Sequence, residues 1–225
     1  MPLLGSAALA MWWDMPAPVR AEFEDWHSHE HFPERMAIPG FRRATRWMSA
    51  TGDESVFVLY EVQDHGTLAS APYVAHLNAP TPWSTKMMPH HRNMVRSQCV
   101  VQDSRGAAVA RHALTLRCAP ALGRDGDLRA QLVSVVRTVV DAPGLVGAHV
   151  LQHEAPALAE TTEQKIRRGA DRVALHVLVV CGYEMTALQQ LMQSLDATLR
   201  DAGAASGHIT GLYALSHSAT PADVT

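Results

Sequence analysis

Arg172-Val173-Ala174-Leu175-His176-Val177-Leu178-Val179-Val180-Cys181-Gly182-Tyr183 is the strongest strand signal in the chain. It is a short run of aliphatic and β-branched residues, the pattern of a strand buried on both faces. From residue 185 to 202 the spacing changes, with leucines at 188, 191, 195 and 199. That three-and-four rhythm marks one face of a helix, and Gly203 and Gly207 close it. Residues 208–216 then read as a last strand. Upstream, residues 145–153 read as a strand after the turn Asp141-Ala142-Pro143-Gly144. Before that turn, 127–140 reads as a helix with Leu128, Leu132, Val135, Val136 and Val139 on one side, and 107–118 as a strand. A charged segment spans 160–171. The order is β-α-β-β-α-β, that of a split βαβ unit.

The first half repeats that plan. Residues 7–15 read as a strand, about 18–32 as an amphipathic helix, 41–49 as a strand and 55–62 (SVFVLYEV) as another, with Thr51-Gly52-Asp53-Glu54 as the hairpin turn. Four prolines between 64 and 93 allow only short helices there, one of them starting at Thr81-Pro82. Residues 94–102 read as a strand that Asp103-Ser104-Arg105-Gly106 turns. The expected fold is α+β: two tandem ferredoxin-like repeats, residues 1–106 and 107–225, packed sheet to sheet as a pseudo-dimeric α/β barrel. Such packing buries the sheet faces that each half would leave open.

The chain has 225 residues, 47% of them hydrophobic, and a net charge of −3. No basic cluster tracks a phosphate backbone, so no nucleic-acid partner is expected. No apolar run is long enough to span a bilayer, and the apolar start lacks a cationic leader, so a cytoplasmic protein without a membrane partner is expected. Cys99, Cys118 and Cys181 are unclustered, which points to reduced, buried thiols.

Candidate chemistry gathers in Glu24-Asp25-Trp26-His27-Ser28-His29-Glu30-His31-Phe32-Pro33-Glu34-Arg35. At about 100° per residue, Val19, Phe23, Trp26 and Glu30 share the inward line of a helix, and Pro33 should end or kink that helix near Phe32. A carboxylate on that line is costly to bury without a partner. Glu30 or His31 opposite His90 would make a base and an acid across a small cleft, with Arg35 or Arg92 holding a carboxylate or enolate oxygen. The bland alternative is Glu30 pairing with Arg35 or Arg92 to cap the helix. Trp83, Met88, Trp26 and His27 are candidate substrate walls; the five tryptophans all lie in the first half. His27 and His31, four apart, could share a metal with Glu30 or Glu34 and with His90 or His91, but no complete metal motif is present and no metal is expected. Glycine-rich phosphate loops are absent, so no organic cofactor is expected. A haem asks only for a pocket histidine, and that question stays open. The second half lacks an equivalent polar cluster, so the first half is expected to carry the site and the second to complete the barrel.

Glu22-Phe23-Glu24-Asp25-Trp26, Glu30-His31-Phe32-Pro33-Glu34-Arg35 and Ile38-Pro39-Gly40-Phe41 resemble the first helix and turn of EthD-like dimeric α/β-barrel proteins. More narrowly, they resemble a poorly characterised bacterial group with a Trp…Glu-His-x-Pro-Glu-Arg pattern. Pro82-Trp83-Ser84-Thr85, Met88-Pro89-His90-His91-Arg92-Asn93 and Thr162-Glu163…Arg167 are similar to the same group. His27 and His29 depart from it. The resemblance implies a tandem ferredoxin-like chain with a pocket between helices and sheet, in a superfamily of monooxygenases, isomerases, dehydratases, decarboxylases and haem enzymes. The expected function is a cofactor-independent acid/base enzyme of lyase or isomerase type acting on a small aromatic or carbonyl-bearing metabolite. The alternatives are a non-catalytic ligand-binding or stress-associated barrel, or a histidine-ligated metal enzyme. A homodimer through outer strands or helices is a further expectation left open.

Overall fold

In the computed structural model, residues 2–155, 159–167 and 171–224 are described. The first half runs β1 (Ala7–Asp14), α1 (Arg20–Trp26), a π-helical turn (His27–His31), α2 (Phe32–Met36), β2 (Phe41–Ser49), β3 (Ser55–Val62), α3 (Ala71–Asn78), α4 (Pro82–Met87) and β4 (Arg92–Gly106). The second runs β5 (His112–Cys118), α5 (Asp125–Val139), β6 (Leu145–His153), α6 (Thr162–Ile166), β7 (His176–Gly182), α7 (Met185–Asp201) and β8 (Ile209–Ala219).

The eight strands among the described residues pair antiparallel and close into one barrel in the order β1-β3-β2-β8-β5-β7-β6-β4, with β4 returning to β1. Within the first half the order is β4-β1-β3-β2, and within the second β8-β5-β7-β6. Two seams join them edge to edge: β2 with β8, from Ala44↔Ala219 to Ser49↔Tyr213, and β4 with β6, from Cys99↔His153 to Gly106↔Gly147. The sheets therefore share a hydrogen-bonded rim as well as an interior, and closure leaves no exposed sheet edge.

Strand alternation sorts the side chains into three cores. Ala8, Ala10, Trp12, Phe57, Leu59, Val177, Val179 and Cys181 fill the barrel interior. There Phe57 stacks between Trp12 (5.0 Å) and Trp47 (5.1 Å), and Trp12 Nε1 donates to Thr115 Oγ1. Leu9, Trp13, Val58, Tyr60 and Val62 face outward onto the first-half helices, whereas Leu114, Leu116, Leu178 and Val180 face α5 and α7. Each such side chain taken fully from water contributes about 1.5–3 kcal/mol. One barrel end is shut by Glu61, only 1% exposed, which accepts from Arg43 Nε (2.7 Å), Arg43 Nη2 (2.9 Å) and the Leu4 amide. All three cysteines are free and buried.

Several sequence expectations shift. The chain does not leave the helix at Pro33; it continues to Met36 through the π-helical turn, in which the Phe32 amide donates to the His27 carbonyl. Proline lacks the N–H that an α-helix would aim at the His29 carbonyl, and the wider turn accommodates its ring. Asp103-Ser104-Arg105-Gly106 is not a turn but the end of β4, paired with β6, and residues 107–111 form the connection instead. Ser104 is polar for a reason: its hydroxyl bonds the Leu3 amide and His149 Nδ1. Residues 172–175 lie ahead of β7, joined to β4 by a bridge between Val95 and Arg172 and by the Ala174 amide, which donates to Ser97 Oγ at 2.8 Å.

Candidate functional site

The π-helical turn changes which side chains point inward. A wider turn advances fewer degrees per residue, so positions after Trp26 lag behind the 100° spacing. His27 (2% exposed) and His31 (9%) face the core, while Glu30 moves to the flank and His29 to solvent. The two imidazoles stack at 5.2 Å, and Trp26 covers His31 at 4.6 Å. From the opposite side, the turn after α4 delivers His91, also buried, against Trp13 at 4.8 Å and Trp26 at 5.9 Å. These three histidines and Trp13, Trp26, Met11, Tyr60, Met88, Met94, Glu163 and Arg167 enclose a cavity of about 30 Å³.

Its electrostatics follow from burial. His27 and His31 are held well below the ordinary imidazole value by burial, reinforced at His27 by His31 and at His31 by Arg35. Burial pulls His91 down to about 3, with Arg167 adding to it and the Met88 and Met87 carbonyls opposing. All three are therefore neutral near pH 7. His91 Nδ1 lies 3.1 Å from the Met88 carbonyl. A carbonyl only accepts, so Nδ1 carries the proton and Nε2 a lone pair. Burial also raises the Tyr60 phenol. His27 Nδ1, His31 Nδ1, Tyr60 Oη and Arg167 Nε are buried without a hydrogen-bond partner among the described residues. Unpaired buried polar groups are rare in folded proteins. His31 Nδ1 is 3.9 Å from Glu34, whose carboxyl burial pushes up.

Of the residues singled out from sequence, the structure brings His31, His27, Trp26 and Met88 together at the cavity. Glu30 stands beside it, accepting from Trp26 Nε1 (3.1 Å) and Thr81 Oγ1 (2.5 Å), and so clamps the π-helical turn to the start of α4. Arg35 is buried but engaged with Glu163, not with Glu30. His90 is half-buried and outside the cavity wall; Arg92 is exposed and paired with Glu54; Trp83 donates to Glu22 on the outer side. The convergence of Glu30, His31 and His90 is thus replaced by His27, His31 and His91.

The second half does more than complete the barrel. Helix α6 places Glu163 and Arg167 on the cavity, with Arg167 also bonded to Asp171 at 2.8 Å. Two sequence signals mark them: Glu163 and Arg167 are four apart on a helix, and Thr161 with Gln164 forms the capping box that starts it. Met11, Trp13 and Tyr60 follow from strand alternation alone. Among the described residues no three His, Cys, Asp or Glu side chains stand close enough to hold one metal ion. At about 30 Å³ the cavity is far smaller than the roughly 300–1,000 Å³ typical of organic cofactor sites.

No family model matches the sequence, and no curated protein matches it. Solved structures do match. An anthrone oxidase-like protein superposes with a TM-score of 0.63 at 11% identity, covering 100% of this chain and 98% of the other. A candidate monooxygenase from Fusobacterium nucleatum gives 0.62 at 8% identity, over 97% and 96% of the two chains. Another from Lactobacillus acidophilus gives 0.60 at 8%, over 96% of each. At these identities the likeness is one of fold: the α+β barrel of the ferredoxin-like dimeric type. No helix among the described residues is long and apolar enough to cross a membrane.

Proposed function

We propose that this chain is a cytoplasmic, EthD-like enzyme built from two β-α-β-β-α-β repeats, 1–106 and 107–225, that moves a proton on a small aromatic or carbonyl-bearing metabolite without an organic cofactor or metal. The strand orders β4-β1-β3-β2 and β8-β5-β7-β6 support the repeat reading. One observation carries the chemistry: His27, His31 and Tyr60 carry unpaired polar atoms in the wall of one aromatic-lined cavity, and the neutral His91 lines it beside them. A neutral imidazole accepts a proton from a carbon beside a carbonyl, and the Tyr60 hydroxyl donates a hydrogen bond to the oxygen that becomes negative. His31 takes the proton and Glu34 steadies the imidazolium; His91 Nε2 faces the substrate as an acceptor. The resulting carbanion or enolate is shared by isomerisation and dehydration and arises again in decarboxylation.

A cavity of about 30 Å³ holds only one or two waters, so a substrate enters by displacing the flexible Met11, Met88 and Met94 side chains. That small volume favours a second reading, a barrel that binds ligands without turnover. Hydrogen–deuterium exchange at the α-carbon of a panel of aryl ketones, followed by NMR, separates the two. Catalysed exchange should fall about tenfold to a hundredfold in His31→Gln and His91→Gln and persist in His90→Gln. Binding of the ketones without exchange would leave the second reading standing.

A further inference from the structure

The open end of the barrel is built unlike the end that Glu61 and Arg43 shut. Arg117, on β5, faces the interior in line with Ala113 and Thr115, and its guanidinium lies 5.0 Å over the Trp12 ring. Its Nε is buried without a hydrogen-bond partner. Arg172 leans over the same mouth, donating to the Asn93 carbonyl at 2.9 Å. Asn93 adopts a left-handed conformation (φ 55°) where the β1–β4 register shifts between Trp12 and Asp14, and its amide donates to Asp14 at 2.6 Å. Among the described residues neither Arg117 nor Arg172 has a carboxylate at ion-pair distance. The two acids at the mouth are engaged locally, Asp14 with Asn93 and Asp53 with Thr51 (2.9 Å) and the Ser55 amide (2.8 Å).

Cavities of about 190, 300 and 400 Å³ all have Arg117 in their walls, and the first two also share Arg172. The 190 Å³ cavity is apolar on its other side, where Val173, Leu175 and Ile209 are 49%, 43% and 47% exposed. Two guanidiniums without carboxylate partners therefore stand beside a strip of apolar side chains facing water. A desolvated guanidinium binds a carboxylate through paired N–H bonds, and exposed apolar surface of this kind marks a contact site.

We propose that the barrel mouth is a second binding site, separate from the histidine cavity, for a small amphipathic carboxylate. The carboxylate head sits between Arg117 and Arg172, and the apolar body lies along Val173, Leu175 and Ile209. Trp12, stacked beneath Arg117, reports occupancy by fluorescence.

Octanoate titrated into the full chain at fixed ionic strength, by calorimetry and tryptophan fluorescence, tests this. One octanoate per chain should bind. Octanol and acetate, each carrying half of the required chemistry, should bind at least tenfold more weakly. Arg117→Gln and Arg172→Gln should each weaken octanoate at least tenfold, and His31→Gln should leave it unchanged. Ile209→Glu, at an exposed position that keeps the fold, should repel the ligand to the same degree. Octanol binding as tightly as octanoate, inorganic phosphate competing at equal affinity, or full octanoate affinity in Ile209→Glu would each overturn the assignment.

Discussion

The two helix layers of this barrel cover sheets of the same strand order with opposite materials. The second layer lays two uninterrupted helices, α5 and α7, of 15 and 17 residues, over a core that is aliphatic apart from Cys118. The first covers its sheet with short pieces, a π-helical turn and a proline-started α4, packed with Trp13, Phe23, Trp26, Phe32, Tyr73 and methionines. Leucine and valine interdigitate without leaving polar atoms behind. Aromatic and histidine side chains carry N–H and O–H groups into the same space and leave gaps between flat rings. Topology is therefore neutral between the layers, and the capacity for chemistry comes from the irregular one.

The largest expected effect on this contrast comes from Glu163, the acid that α6 contributes to the first layer. Glu163→Ala strands Arg35, 4% exposed, without its partner. Removing one member of a buried pair costs about 3–5 kcal/mol, which urea denaturation would register; a loss below about 1 kcal/mol would show that the second half does not brace the site. Leu195→Ala, a cavity in the aliphatic layer, should cost about 2–5 kcal/mol while leaving ketone exchange intact in the folded protein.

Acid sharpens the comparison further. His27, His31 and His91 have folded values depressed below 6.5, so below pH 6.5 the unfolded chain binds protons that the folded chain refuses. Their contribution is complete above pH 6.5 and is lost as pH falls, by about 1.4 kcal/mol per pH unit per histidine. For His91 the loss continues down to its folded value of about 3. Stability measured between pH 7 and 4 should fall steeply, and His91→Phe should flatten that slope; an unchanged slope would contradict a neutral buried imidazole. The smallest effect is expected from Pro33→Ala. It removes the reason for the π-helical turn, so stability should change by less than about 1 kcal/mol, while ketone exchange drops as His31 rotates off the inward line.

Regular elements were legible because local pattern and tertiary role agree in them. Residues 55–62 and 145–153 are β3 and β6 to the residue. Where the two disagree, pattern failed: Asp103 to Gly106 has turn chemistry yet is held in β4 by β6. At the site the same logic holds. Trp26 carries a local signal of burial, but a fixed helical period put Glu30, and not His27 or His31, on the inward line beside it, because it takes no account of the proline-induced π-helical turn. His91 displaced its neighbour His90 for want of any rule to choose between adjacent residues in a one-turn segment. Glu163 and Arg167 lie more than 130 residues beyond His27; their spacing and capping box mark a helix but do not say which cavity it reaches.

The seam between β2 and β8 has a consequence for how the chain is made. Ala44 finds its partner only when Ala219 has emerged, so during synthesis the first sheet exists with its β2 and β4 rims unpaired. Contacts between such distant residues are slow to form, and bare strand rims invite pairing with other nascent chains. The growing polypeptide is thus most vulnerable in the interval before β8 leaves the ribosome, and a chaperone that shields β2 would matter most in that interval.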